Sequence, residues 1–177
     1  MYFCCMKRTF EFFAIPVIFL IGYVAVQMYK APALAISTIA PDFTAYLSET
    51  DSFNLSDSDG NIRILHFWGS WCGPCRSHNP ELVEAYRKYG STDKLTIISV
   101  GIETKEKSWL RAREQDKLYW PIHVSSFERF NDPIARLYGV REIPTIYVLG
   151  PNRKILLVNP NPVELDDLLS KQTNHQK

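Results

Sequence analysis

The fold of this chain is decided by the stretch IRILHFWGSWCGPC at residues 62–75. Its first half, from Ile62 to Trp68, is apolar and β-rich, which predicts a buried central strand that ends at Gly69. The residues from Cys72 to Tyr89 then predict a helix, because apolar side chains recur there at helical spacing. The stretch therefore places two cysteines at the junction between a buried strand and a helix.

Segments with strand-like and helix-like patterns alternate on both sides of this stretch. The expected elements are a hairpin or two edge strands within Phe43–Leu55, a turn at Asp57–Gly60, a buried strand at Leu95–Val100, a surface helix at Thr104–Leu118, a short strand at Ile122–Val124, a helix from Asp132 to Tyr138, a hairpin of Thr145–Leu149 with Lys154–Val158, and a closing helix at Val163–Leu169. This order predicts an α/β sandwich with a mixed central sheet.

The bulk composition is that of an ordinary globular domain. The chain has 177 residues, of which 46% are hydrophobic and 22% charged, and its net charge is +1. This is enough apolar material to form a core without stabilising disulfides or metals. The balanced charge, without a long basic run, argues against nucleic acid as a partner.

The N-terminal segment carries no charge between Glu11 and Lys30. The sequence predicts a short cytoplasmic N-terminus at residues 1–11 and a transmembrane anchor or signal segment at 12–29. A linker at 30–40, a domain at 41–171 and a flexible tail at 172–177 would follow.

The basic residues Lys7 and Arg8 precede the uncharged run, which favours an N-terminus that stays inside the cell. Ala33 and Ala35 form an A-x-A pattern, so cleavage by a signal peptidase is the alternative, and a buried soluble helix is a third. The first two alternatives both place the domain outside the cytoplasm. The protein would be a single-pass protein of the cell membrane, or a periplasmic one if the segment is cleaved.

The four cysteines form two pairs, Cys4–Cys5 and Cys72–Cys75. Adjacent cysteines rarely bridge each other, so the first pair is interpreted as uninvolved in the chemistry. The sulfur of Cys72 is expected at a helix N-terminus, where unpaired N–H groups and the helix dipole favour a thiolate. This makes Cys72 the nucleophile, and Cys75, one turn into the helix, the shielded thiol that resolves a mixed disulfide.

The two residues between the cysteines are expected to hold the geometry of the disulfide ring. Pro74 falls where a helix can spare an N–H group, and Gly73 precedes it. The same C-x-x-C spacing also occurs in zinc sites, which need a second pair of ligands. The only other candidates are the histidines His66, His78, His123 and His175, since no further cysteine lies in the domain. Redox chemistry is therefore favoured over a structural metal.

Two motifs resemble those of thioredoxins. FWGSWCGPC at residues 67–75 is similar to the thioredoxin active-site stretch, and Ile143-Pro144-Thr145 resembles the second landmark of that superfamily. The resemblance implies that Pro144 is cis and lies against the disulfide. It also implies that the backbone of Ile143 and Thr145 pairs with an extended substrate segment, with Trp71 packed over the disulfide.

Further features resemble the TlpA/ResA-type proteins, which are extracytoplasmic thiol–disulfide oxidoreductases. These are the additional helix and strand within 104–124, the opening Pro41-Asp-Phe43 and the N-terminal segment. The resemblance implies exchange with protein disulfides and dithiols, as a reductant, and in some members cytochrome c maturation. No bound cofactor is expected, but a membrane thiol protein must donate electrons to restore the dithiol.

Two other functions remain open at this stage. Peroxide reduction uses a cysteine in a P-x-x-x-T-x-x-C setting, which the sequence lacks. A thioredoxin-like module that only binds partners typically loses one or both cysteines, and this chain keeps both.

Two histidines depart from the family pattern. His66 stands six residues before Cys72, where relatives usually carry Asp, Glu or Asn, and His78 stands three after Cys75, where many carry Glu. Burial should lower the pKa of His66 below its ordinary value of about 6.5, so that a neutral imidazole can accept a proton. The alternatives are a satisfied core histidine at position 66 and an exposed one at position 78.

Overall fold

The structure is a computed structural model that describes residues 3–48, 50–90 and 94–174, with the side chains of 15–48, 50–90 and 94–172. The predicted tail at 172–177 therefore lies partly outside the described residues, and His175 lies wholly outside them. The chain divides into two compact units, one up to Ala31 and one from Pro32 onward.

Helix α1 runs from Phe3 to Lys30 and contains Pro16. The helical conformation expected for residues 12–29 is therefore confirmed. The prediction that this segment crosses a membrane is not borne out. Within the part of the chain that the structure describes, no helix combines the length and the apolar character that a crossing requires.

The second unit is built on a five-stranded mixed sheet, as the sequence predicts. Its strands are β3 (Ile62–Trp68), β4 (Leu95–Gly101), β5 (Ile122–Val124), β6 (Thr145–Leu149) and β7 (Ile155–Val158). They lie in the order β5-β4-β3-β6-β7, with β3 in the middle. The β3–β4 and β4–β5 pairs are parallel, whereas β3–β6 and β6–β7 are antiparallel.

Four helices accompany the sheet at the positions that the sequence predicts. They are α2 (Gly73–Tyr89), α3 (Glu106–Gln115), α4 (Pro133–Leu137) and α5 (Pro162–Asn174). The start of α4 shows why the prediction works. The Asp132 carboxylate accepts hydrogen bonds from the backbone N–H groups of Ile134 and Ala135, and Pro133 needs no donor in the first turn.

Both faces of β3 are buried, which explains its largely apolar sequence. Successive side chains point to opposite faces of a strand. Leu65 and Phe67 join one hydrophobic cluster, whereas Ile64 and Trp68 join another that also contains the two cysteines of the motif.

The hairpin predicted within 43–55 consists of β1 (Thr44–Tyr46) and β2 (Ser52–Asn54), which pair antiparallel in a separate two-stranded sheet.

The end of the predicted linker differs from expectation. Ser37 donates a backbone hydrogen bond to Ile155 at 2.8 Å, and Ala40 is buried. Ser37 thus pairs with the first residue of β7 at the outer edge of the sheet, where backbone groups would otherwise be unpaired, and Ala40 donates to the carbonyl of Arg153 just before β7. The folded unit thus begins before residue 41.

Candidate active site

Cys72 and Cys75 form a disulfide at the start of α2. Cys72 caps the helix, and its sulfur accepts a hydrogen bond from the backbone N–H of Cys75 at 3.2 Å. Cys75 is fully buried, while Cys72 keeps 5% of its surface exposed. The order of exposure matches the expected roles, but Cys72 is more enclosed than its place at a helix end suggests. The exposed neighbours Trp71, Gly73 and Pro74 surround it.

The second landmark lies beside the disulfide. The Ile143–Pro144 peptide bond is cis, as predicted. The sulfur of Cys72 is 3.8 Å from the carbonyl oxygen of Ile143. Thr145 begins β6 opposite Phe67 of β3, and its buried hydroxyl donates to the carbonyl of Glu142 at 2.8 Å. The side chain of Thr145 therefore serves the loop, which leaves its backbone as the part that could meet a substrate.

Trp71 is held by the segment that follows β4. Its indole N–H donates to the carbonyl of Ile102 at 2.7 Å, and the Arg129 guanidinium lies 5.4 Å from the ring centroid. The ring also covers Gly69, where a Cβ atom would come within 2.8 Å of the indole nitrogen. Half of Trp71 remains exposed. The ring is thus fixed to the segment after β4 and presents a free surface beside Cys72.

Glu103 is a residue of the site that the sequence analysis missed. It is 2% exposed, and its carboxylate accepts hydrogen bonds from the backbone N–H of Ser70 and, at 3.1 Å, from the Ser70 hydroxyl. Its carbonyl accepts from the backbone N–H of Arg129 at 3.1 Å. Glu103 therefore joins the loop before Cys72 to the segment that carries Arg129. The available signal was a carboxylate placed directly after the apolar run of β4.

His66 is fully buried on β3, on the same face as Trp68, whose ring stacks on it at 5.9 Å. Its Nδ1 lies 3.2 Å from the hydroxyl of Ser99 on β4. Burial, with smaller contributions from His123 and His78, lowers the pKa of His66 to about 3. The predicted direction of the shift is confirmed. His66 is therefore neutral at pH 7.

The other two histidines of the domain differ sharply from each other. Burial, helped by the Arg113 guanidinium, lowers the pKa of His123 to about 3. His78 is exposed on α2, and its Nδ1 lies 3.1 Å from the Glu81 carboxylate. The structure thus matches the simpler expectation for His78, an exposed residue.

The carboxylate of Asp116 is one of the groups that join the cysteine-bearing helix to the rest of the domain. Asp116, just after α3, accepts hydrogen bonds from Arg76 and, at 2.6 Å, from the side-chain amide of buried Asn79.

Among the described side chains no group of three or more His, Cys, Asp or Glu residues is placed to hold a metal ion. The chemistry that the described groups support is exchange at the disulfide.

The comparison with known proteins agrees with this geometry. The sequence model of the thioredoxin-like family matches residues 60–155, more than half of the chain and all of the stretch from β3 to the start of β7. The chain belongs to the thioredoxin-like family. The matched residues of this thioredoxin-like chain include both cysteines and Pro144.

Two curated relatives cover most of the thioredoxin-like domain. Thiol-disulfide oxidoreductase ResA of Geobacillus thermodenitrificans is 28% identical over 139 residues, which cover 77% of this chain and 75% of the relative. Thioredoxin-like protein YneN of Bacillus subtilis is 29% identical over 140 residues, covering 75% and 78%. The chain is therefore similar to a ResA protein and to YneN over about three quarters of its length.

Solved structures show the same fold. The thioredoxin domain of a thiol-disulfide oxidoreductase from Bacteroides vulgatus superposes with a TM-score of 0.69 at 26% identity, covering 79% of this chain and 99% of that one. A thiol:disulfide interchange protein from a Bacteroides species gives 0.69 at 27% identity, covering 81% and 93%.

Proposed function

We propose that this protein is a thiol–disulfide oxidoreductase that reduces disulfide bonds of protein substrates outside the cytoplasm, with Cys72 as nucleophile and Cys75 as resolving thiol. The observation that carries the proposal is the Cys72–Cys75 disulfide at the start of α2, where the Cys75 N–H points at the Cys72 sulfur. This N–H and the positive end of the helix dipole stabilise a thiolate on Cys72 after reduction.

The reaction proceeds in two exchanges. The Cys72 thiolate attacks one sulfur of the substrate disulfide, which forms a mixed disulfide and releases the other substrate sulfur as a thiolate. The Cys75 thiol then loses its proton and attacks the Cys72 sulfur. The bond between Cys72 and the substrate breaks, the second substrate thiolate leaves, and the Cys72–Cys75 disulfide forms. Two electrons have passed to the substrate, whose thiolates take protons from solvent.

His66 is the proposed acceptor of the Cys75 proton. Cys75 is fully buried, so its thiolate forms only if a nearby group takes the proton. His66 is neutral, fully buried, and on the face of β3 that packs with the cysteines. Unlike an ionised Asp, it brings no negative charge toward the sulfurs before it acts.

The substrate is proposed to bind in extended form across the exposed surface around Cys72. Trp71, Gly73 and Pro74 are exposed there. The backbone around Pro144 would pair with the substrate, with Ile143 at one side and Thr145 at the other, in a β-augmentation mode. Backbone pairing tolerates many sequences, which suits an enzyme that acts on several proteins.

The proposed location and electron supply rest on the N-terminal segment and on the resemblance to TlpA/ResA-type proteins. The uncharged run at 12–29, preceded by Lys7 and Arg8, supports export of the domain. A thiol protein of the membrane would then restore the dithiol, and no bound cofactor is needed. Apocytochrome c is one substrate class that the resemblance suggests.

The activity is tested with the purified domain and insulin as a disulfide substrate. Wild type with dithiothreitol as electron donor should precipitate reduced insulin faster than dithiothreitol alone, and the Cys72→Ser variant should not. Equal rates for both proteins would refute the oxidoreductase assignment and leave a binding module. The midpoint potential in glutathione buffers decides the direction, since a value near that of thioredoxin supports a reductant and one near that of DsbA an oxidant.

The location is tested by fusing an alkaline phosphatase reporter after residue 174 and by adding protease to intact spheroplasts. Active reporter and a digested domain support export. An inactive reporter and a protected domain would contradict it. A mature N-terminus at Ile36 would show cleavage after Ala35.

A further inference from the structure

Ser99 lies directly opposite His66 in the sheet. The two residues are partners in the register of the parallel strands β3 and β4, so their side chains emerge on the same face. Both are fully buried, and Nδ1 of His66 lies 3.2 Å from Oγ of Ser99. The backbone of the sheet therefore sets this contact, and neither side chain needs to leave its strand position to make it.

A third residue orients the hydroxyl of Ser99. The indole Nε1–H of Trp120 donates to Oγ of Ser99 at 2.9 Å. An indole N–H is only a donor, so it occupies one of the two lone pairs of the serine oxygen. Trp120 is itself enclosed: it stacks on His123 at 5.4 Å and packs edge-on against Tyr86 of α2 at 5.8 Å.

The hydroxyl hydrogen and the second lone pair of Ser99 are both available to His66. When Nδ1 is unprotonated, the serine O–H donates to it, and when Nδ1 carries a proton, the second lone pair of the serine accepts. In both cases Nδ1 of His66 has Ser99 as its hydrogen-bond partner. Nε2 of His66 is buried and has no hydrogen-bond partner among the residues that the structure describes.

We propose that Ser99, oriented by Trp120, is a positioning residue that holds His66 through Nδ1 and keeps Nε2 as the nitrogen that receives the Cys75 proton. This inference rests on the proposed role of His66. A neutral ring that can accept at Nε2 carries its proton on Nδ1, and this Nδ1–H donates to Ser99. Protonation at Nε2 gives an imidazolium with a proton on each nitrogen, and the hydrogen bond from Nδ1–H to Ser99 stays in place.

The experiment uses single turnovers of the reduced protein with dithiobis(nitrobenzoate). The first nitrothiobenzoate is released by attack of Cys72 and the second by resolution through Cys75, so one trace reports both steps. Ser99→Ala should slow the second phase by about tenfold, a part of the 10²–10⁴ that general acid–base assistance supplies. The first phase should keep its wild-type rate, and Ser99→Thr should restore the second.

Two further variants test the contribution of Trp120 and provide a control. Trp120→Phe keeps an aromatic ring but removes the indole N–H, and should slow the second phase as Ser99→Ala does. Ser125→Ala removes a serine hydroxyl that donates to the carbonyl of Gly101 at 2.7 Å, away from His66, and should change neither phase. The ¹⁵N resonances of His66 give an independent measurement, since Ser99→Ala should shift Nδ1 and change the tautomer balance.

The outcomes distinguish the positioning role of Ser99 from the proton-accepting role of His66. A slow second phase in His66→Ala with wild-type rates in Ser99→Ala and Trp120→Phe would overturn the positioning role and leave His66 as the acceptor. Wild-type rates in His66→Ala would refute both. An unchanged ¹⁵N spectrum in Ser99→Ala would likewise overturn the positioning role, even if that variant resolved slowly.

Discussion

The sulfur of Cys72 lies 3.8 Å from the carbonyl oxygen of Ile143, although the two residues are 71 positions apart. They meet because Cys72 follows β3 and Ile143 precedes β6, and these strands are antiparallel neighbours in the sheet. The end of one strand thus lies beside the start of the other. The arrangement places the carbonyl of Ile143 next to the reactive sulfur, where the proposed substrate segment would be held during exchange.

The roles of the two cysteines predict opposite results for their serine variants. Cys72→Ser should abolish the reduction of insulin, because the attacking thiolate is lost. Cys75→Ser should accumulate mixed disulfides, since attack proceeds and resolution does not. Non-reducing gel electrophoresis after acid quenching measures the trapped species. Trapped complexes with Cys72→Ser in place of Cys75→Ser would reverse the assignment.

Loss of the proposed proton acceptor should slow one step of the reaction selectively. In His66→Ala the release of substrate from the mixed disulfide should fall by roughly 10²-fold or more, whereas attack by Cys72 keeps its rate. Stopped-flow measurement of both steps checks this, with circular dichroism to confirm the fold. The exposed His78→Ala variant serves as the control. Equal resolution rates in His66→Ala and wild type would reduce His66 to a core residue.

The buried histidines predict a loss of stability in mild acid. The pKa values of His66 and His123 are about 3 in the folded protein, below the ordinary value of about 6.5 that applies when unfolded. The unfolded state therefore binds protons first as the pH falls, so the stabilisation is complete above about pH 6.5 and is lost toward pH 3. Each histidine should contribute a slope of up to about 1.4 kcal/mol per pH unit within this window.

Urea denaturation between about pH 7 and about pH 5 measures this slope above the range where ordinary carboxylates titrate. His66→Gln should lower the slope by about half, because one of two such groups is removed. His78→Gln, which changes an exposed histidine, should leave the slope as it is in wild type. A free energy of unfolding that does not change over this range would contradict the burial of both imidazoles.

The carboxylate of Glu103 should matter for stability far more than an exposed one. Glu103→Ala leaves the backbone N–H and the hydroxyl of Ser70 without their acceptor, which should cost about 1–3 kcal/mol. Glu103→Gln keeps one acceptor oxygen and should cost less. Urea denaturation measures both. Glu84→Ala, which breaks an exposed pair with Arg87 on α2, is the matched control and should have a much smaller effect. Equal losses in Glu103→Ala and Glu84→Ala would show that the buried carboxylate does not support the loop.

Most of the elements could be predicted from the sequence because their signals are local. The largely apolar run of β3 indicates a strand buried on both faces, and Asp132-Pro133 indicates where α4 begins. The C-x-x-C pair is equally local, since its two cysteines are only three positions apart in the sequence. The hairpin β1–β2 was also predicted, but its separation from the main sheet was not, because strand order depends on distant partners.

The sequence by itself determined the cysteine pair, its place at a helix start and the burial of His66, because each follows from a motif or from a period along one strand. Only the tertiary structure decided what these groups touch. Ser99 faces His66 through the register of two strands, and Trp120 reaches Ser99 from a loop. A side chain's partner depends on how separate elements pack, and that packing leaves no local trace in the sequence.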